Sequence, residues 1–299
     1  MDLHLRVPHA YVLNPTLTRD DAQQQAVDKR LSIVAGGLSG LFSRPKPEEV
    51  DLAYAEFRYE AFWHIVTTVR YVFERNKTFT VPVTGAEVRK VTVLGQEFEV
   101  TAPQPPQQQQ QSSPTAFLQQ IGQQIGIAGN VTRTFGVPGV EYCVDENRQE
   151  RFLDTVAGLA VQTGADYVRK DKTELTDLSA LSADGALIAA PQMTASKTLR
   201  TLLATMVKQI QADKLLEETT LIESCDLYFR PVYAFELAWR TKNKSAVAEF
   251  DGVTGAMIAG KVMRTGSSEP LSPDVLFDIN ADNVASLFPS NVGTVQVVS

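Results

Sequence analysis

The spacing of apolar and polar residues changes period several times along the chain, and each change marks an expected element. After Thr18, apolar residues recur at Val27, Leu31, Val34 and Leu38, one stripe of a helix that opens with Asp20 and Asp21 at its positive end. Gly36, Gly37 and Gly40 close it, and the SRPKPEE stretch from Ser43 to Glu49 reads as a turn. From Val50 to Val100 the period falls to two. Over Ala61 to Arg75, the residues Trp63, Ile65, Val69, Tyr71 and Phe73 share one face, and His64, Thr68, Arg70 and Glu74 the other. ERNK, Glu74 to Lys77, is expected to turn the chain into a return strand, TFTVPV, which Pro82 marks as edge or bulged. VRKVTVLGQEFEV then predicts a second hairpin pivoting near Gly95.

Ala102 to Pro114 is rich in glutamine and proline, which supply neither a core nor a helix, and it is the clearest boundary. It divides the chain into 1–102, a linker or long loop at 103–130, a second unit at 131–266 and a C-terminal tail at 267–299. A strand is expected at Val137 to Val144, followed by a helix capped by Asp145 whose stripe runs from Phe152 to Val168. A second helix is expected over Thr194 to Ala212, with Leu199, Leu202, Leu203, Met206, Val207 and Ile210 in register. A long strand follows, ETTLIES running into CDLYFRPVYAFELAWRT, then the turn KNK, the strand SAVAEFD, the turn GVTG and a last strand at Ala256 to Val262.

These elements predict an α+β fold: two helix-on-antiparallel-sheet units that repeat the order helix, long strand, turn, strand. Aligning Phe229, Pro231, Tyr233 and Phe235 with Tyr59, Ala61, Trp63 and Ile65 puts apolar residues on the same face, as an internal duplication would. Chance likeness between two aromatic hairpins is the alternative. The tail is expected to pack back through Leu276, Phe277, Leu287 and Phe288, or to serve as a docking arm.

Composition narrows the functional classes. With 43% hydrophobic residues the chain can bury a sizeable core. Its 28 basic against 35 acidic residues give a net charge of -7, opposite to the footprint of a nucleic-acid binder. The opening MDLHLRVPHAYVLNP lacks the pattern of an export signal and no apolar run reaches membrane-spanning length, so a cytoplasmic protein without a membrane span is expected. Two cysteines, Cys143 and Cys225, are too few for a disulfide framework or a cysteine zinc cluster, and buried thiols are expected.

Candidate chemistry is sparse, and no catalytic residue, cofactor or metal site is assigned. Gly255, Gly260 and Lys261 stand at phosphate-loop spacing, but Val262 replaces the magnesium-holding hydroxyl. Of three histidines, His4 and His9 have no partner carboxylate or cysteine at metal-binding spacing, and His64, on the polar strand face, suits a solvated or hydrogen-bonded role more often than a catalytic one. The densest polar stretch is EYCVDENRQER, Glu141 to Arg151. His64 and Arg70 on the polar strand face, with Cys143, Glu146 and Arg148 in this stretch, are therefore the candidate functional residues. Cys143 at a strand-to-helix junction would suit a nucleophile, although no histidine lies near it in sequence to serve as base.

PVYAFELAW followed by KSAVAEFDGVTGAM resembles the small PepSY-type domains, over Tyr228 to Met257. The resemblance implies a helix packed on an antiparallel sheet and a regulatory or inhibitory role, often toward peptidases; no functional residue is carried over from it. Taken together, the expectation is a non-catalytic interaction, adaptor or assembly protein with a protein partner, able to form homo-oligomers, that works through sheet edges and the C-terminal arm. The alternative is an enzyme or small-ligand receptor with a cleft between the two units.

Overall fold

The structure, a computed structural model, describes residues 1–36, 45–101, 133–182, 185–189, 191–260, 262, 271–280, 283–289 and 296–297. The glutamine-rich segment expected as a linker, Leu38 of the first helical stripe and Lys261 of the glycine motif lie outside these residues.

In chain order the strands are β1 (Asp2–Leu5), β2 (Ala10–Leu13), β3 (Val50–Val83), β4 (Lys90–Val93), β5 (Gln96–Glu99), β6 (Arg133–Asp154), β7 (Lys172–Glu174), β8 (Leu187–Ile188), β9 (Lys214–Trp239), β10 (Lys244–Asp251), β11 (Met257–Ala259) and β12 (Gln296–Val297). The helices are α1 (Arg19–Asp28), α2 (Arg30–Ala35), α3 (Gly164–Tyr167), α4 (Ala195–Met206) and α5 (Pro273–Leu276). Among the described residues strand outweighs helix, counting 3-10 turns as helix, 49% against 21%. Among the described residues ten strands join one mixed sheet, and β4 and β5 form a separate hairpin. The expected α+β arrangement of two helix-on-sheet repeats is thereby overturned.

Two specific misreadings caused that expectation. Glu74 to Lys77 makes no turn; it lies inside β3, a strand of 34 residues. Its charges suit a strand because Arg75 and Lys77 both reach Glu141 on β6, at 3.3 and 2.6 Å. Nor does a helix begin at Asp145, since β6 continues to Asp154 with its even-numbered side chains exposed from Gly136 to Glu150. Of the expected stripe only the single turn α3 is helical, with Tyr167 buried.

The chain divides into two compact units, the first comprising Met1–Tyr71, Asp145–Ile210 and Glu217–Ser299, the second Val72–Val144 and Gln211–Leu216. In the first unit β9 is the spine. Along one edge it pairs with β1 and β2 in parallel and with β10 in antiparallel register, from Lys244↔Trp239 to Asp251↔Val232. Its other neighbour is β3. The ring pairs Phe57–Tyr233 and Phe62–Tyr228 show that β3 and β9 run in opposite directions. Alternation along β9 breaks once: Ile222 and Cys225 are buried while Glu223 and Ser224 between them both face β3 partners, Thr68 and His64. Two neighbouring side chains on one face are the mark of a β-bulge.

Thr18 caps α1 as expected, accepting from the Asp21 amide. Its small residues Ala22 and Ala26 lie fully buried against Tyr233, Phe235, Ala248 and Phe250, with Leu52, Ala55 and Phe57 at the margin. One helix therefore covers aromatic residues of both long strands, which the one-helix-per-hairpin reading did not foresee. α4, capped by Thr194, buries Leu199, Leu202, Leu203 and Met206. The tail packs back as expected: Leu276, Leu287 and Phe288 are buried and Phe277 meets Trp63 edge-on at 5.4 Å. Asp278 accepts from the Ser196 amide and hydroxyl at the start of α4, and Arg200 holds Ser286.

In the second unit the far part of β3 pairs with the beginning of β6. The β4–β5 hairpin turns through Leu94 and Gly95, both with positive φ (51° and 80°), the geometry of the tight turns that match strand twist. At Gly139 a Cβ would stand 2.8 Å from the Phe79 ring, so glycine lets the ring lie against the backbone.

Candidate functional site

Four of the five sequence candidates fall in the first unit, on the face of the sheet turned away from Trp63 and Ile65. Because β3, β6 and β9 are neighbours, residues far apart in sequence meet there in cross-strand pairs. Arg70 forks onto Glu217 at 2.6 and 2.7 Å and lies 3.5 Å from Glu146. Arg148 reaches both oxygens of Glu223, at 3.0 and 3.3 Å, and Thr68 donates to the same carboxylate. The hydrogen bond from Arg70 holds the Glu217 carboxyl below its ordinary range, and that from Arg148 does the same for Glu223.

His64 is the centre of a denser group. Its Nε2 is 2.8 Å from Glu150 and its Nδ1 is 3.4 Å from the Ser224 hydroxyl. The ring stacks on Phe152 at 4.9 Å with only 5° between planes. Serine, histidine and carboxylate stand in the order of a nucleophilic triad, yet the hydroxyl proton of Ser224 goes to Asp226 at 2.7 Å rather than to the imidazole. Ser224 also sits within a strand and not on the sharp turn that exposes a nucleophile. The group is a hydrogen-bonded set that joins β3, β6 and β9.

Cys143 belongs to the second unit. It is free, partly exposed and 3.5 Å from the Arg75 guanidinium. Cys225 is free and buried, and burial pushes its thiol pKa up.

Sequence reasoning missed a second polar cluster in the first unit. Arg58, almost wholly buried, donates to Glu56 at 2.9 Å, to Glu60 at 2.7 Å and to Glu249 at 2.5 Å. Arg230 bridges Glu60 and Asp251, and Tyr167 donates its hydroxyl to Asp251. Burial opposes ionisation of Glu60, but the charges of Arg230 and Arg58 outweigh it and keep its pKa below the usual carboxylate range. Glu56 Oε2 is buried without a hydrogen-bond partner. The alternation Glu56, Arg58, Glu60 in an otherwise apolar strand was the available signal. Among the described residues no group of three or more His, Cys, Asp or Glu side chains is arranged to hold a metal.

The remaining feature of functional interest is an edge. Among the described strands β6 pairs only with β3; its other side is bridged at Thr134 by Thr101 and at Leu153 by Ala160, and between these points it carries no ladder among the described residues. In the second unit its exposed face is apolar: Val140, Tyr142 and Val144 are 56%, 65% and 54% exposed. Unpaired backbone beside exposed β-branched and aromatic side chains is a template for another strand. No helix among the described residues is long and apolar enough to cross a membrane. Comparison of the chain with protein-family models, with curated proteins and with solved structures finds no match.

Proposed function

We propose that the chain is a non-catalytic interaction protein of the cytoplasm that docks an extended partner segment along the open edge of β6. The observation that carries this reading is the combination of a strand that, among the described residues, is paired on one side only along its middle with three exposed apolar side chains at alternate positions there, Val140, Tyr142 and Val144. Strand addition draws affinity from the backbone ladder and selectivity from alternate side chains, and this edge offers both. The cross-strand ion pairs of Arg58, Arg70 and Arg148 and the hydrogen bonds of His64 support a structural use of the polar residues rather than a catalytic one. The PepSY-type resemblance points the same way, toward regulation of another protein. Two free cysteines fit a reducing compartment.

A photo-crosslinking amino acid placed at Val140 or Val144 in the native host is expected to give a discrete protein adduct. The same probe at Gln23, exposed on α1, is expected to give none. Equal labelling from both places, or no adduct from β6, overturns the reading.

A further inference from the structure

The exposed segment of β6 has a symmetry of its own. Val140-Glu141-Tyr142-Cys143-Val144 reads valine, tyrosine, valine on its exposed face in either direction. Most partner strands would meet that face with an arbitrary pattern, but a copy of the same strand laid antiparallel about Tyr142 meets it with a matched one. Val140 then faces Val144 of the second copy and Tyr142 faces its counterpart, joining six apolar side chains in one cross-strand patch. The flanking positions agree. Glu146 falls opposite Pro138 of the second copy, and on the other face Glu141 falls opposite Cys143, so over positions 138–146 no two like charges stand directly across from each other; Arg133 and Arg151 would be opposed only beyond Thr134, where the edge is already bridged by Thr101. Glu141 is also already neutralised within its own chain by Lys77 and Arg75.

The geometry of β6, taken with the reading of its edge as a docking strand on which this rests, points to a second copy of this chain as the occupant, and we propose that the protein forms a two-fold dimer by antiparallel β6–β6 pairing centred on Tyr142. A self-complementary patch that generates its own two-fold axis is the commonest form of soluble homodimer. In this register the two Tyr142 Cα atoms stand about 4.5–5.5 Å apart, as directly opposed antiparallel residues do. That separation lies within the span a disulfide bridges, about 4.4–6.8 Å.

Two measurements on the full chain test it. Sedimentation equilibrium over a concentration series is expected to show the mass doubling, and Tyr142→Lys to return the chain to monomer; because Tyr142 is exposed in the single chain, circular dichroism should show the fold unchanged. In a Cys143→Ala background, Tyr142→Cys is expected to give a covalent dimer on mild oxidation, whereas Val140→Cys, which faces Val144 and not itself, gives none unless Val144→Cys is added. A chain monomeric at every concentration, a dimer indifferent to Tyr142→Lys, or crosslinking equal at positions 140 and 142 overturns the proposal. A monomeric result removes the second copy as occupant but leaves edge docking to the photo-crosslinking experiment, where the adduct would be a different protein.

Discussion

Arg58 on β3 and Glu249 on β10 meet at 2.5 Å although 191 positions and an intervening strand separate them. The contact passes over Ala234 of β9, the residue paired with Glu249 in the β9–β10 ladder, where a larger side chain would block it. A guanidinium, long and forked, spans that width and still holds Glu56 and Glu60 on its own strand. Removing it takes the cation from buried Glu56 and from Glu249 and leaves Glu60 with Arg230 alone of its two arginines. Arg58→Ala is therefore expected to destabilise the fold by about 3–5 kcal/mol, read from the urea midpoint, and a double-mutant cycle with Glu249→Ala to show that the two losses do not add. Simple additivity would mean that the pair is uncoupled.

Acidification should act through the same cluster. The folded pKa of Glu60 lies below its unfolded value, so its stabilising contribution is present in full above an unfolded pKa of about 4.3 and is lost as pH falls through the folded value. Urea midpoints measured from about pH 6 down to about pH 3 should fall more steeply for the wild-type chain than for Glu60→Gln. Parallel curves would place the acid-sensitive group elsewhere.

The close seat of α1 depends on small side chains. Ala26 is fully buried beside Phe235, which is itself inaccessible and meets Phe250 edge-on at 5.8 Å. Ala26→Leu must overfill that contact and is expected to cost about 1–3 kcal/mol, with Gln23→Leu on the exposed side changing stability by less than about 0.5 kcal/mol. Thermal melts of the two variants check this directly.

The two thiols should be distinguishable without mutation. Cys143 is partly exposed and Cys225 is 1% exposed with its thiol pKa pushed up. An aromatic disulfide reagent is expected to titrate one thiol quickly in the folded chain and the second only in denaturant. Rapid reaction of both would show that β9 opens readily at Cys225.

How much of this was legible in the sequence depended on whether polarity and burial alternate together. They do at Thr18, at Thr194, around Leu94 and Gly95, and along β9 and β10, and those elements were read correctly apart from their ends. They do not in β6. There the exposed positions run Val140, Tyr142, Val144, Glu146, Arg148, Glu150, passing from apolar to charged without a change of face, so the strand period is hidden and the following apolar residues read as a helix. In β3 the charged run Glu74 to Lys77 looks like a turn because its partners, Glu141 and Asp213, lie more than sixty positions away. The same distance rule explains the candidate site. His64, Arg70, Glu146 and Arg148 were picked out singly, while Glu150, Glu217, Glu223, Ser224 and Asp226, which complete their pairs, come from strands that only the folded sheet makes neighbours.

The bulge at Glu223 and Ser224 gives β9 two phases that a single strand would not have. Upstream of it even-numbered residues such as Thr220 and Ile222 point into the core, and downstream odd-numbered ones such as Cys225, Leu227 and Phe229 do. Excising one residue there would put the two halves back in step and leave both oily sides turned inward, whereas excising one within either half would turn the residues beyond the cut outward. The surplus residue thus reconciles two parities of the sequence with one buried face, and it marks a place where β9 can lose a residue without turning its core side outward.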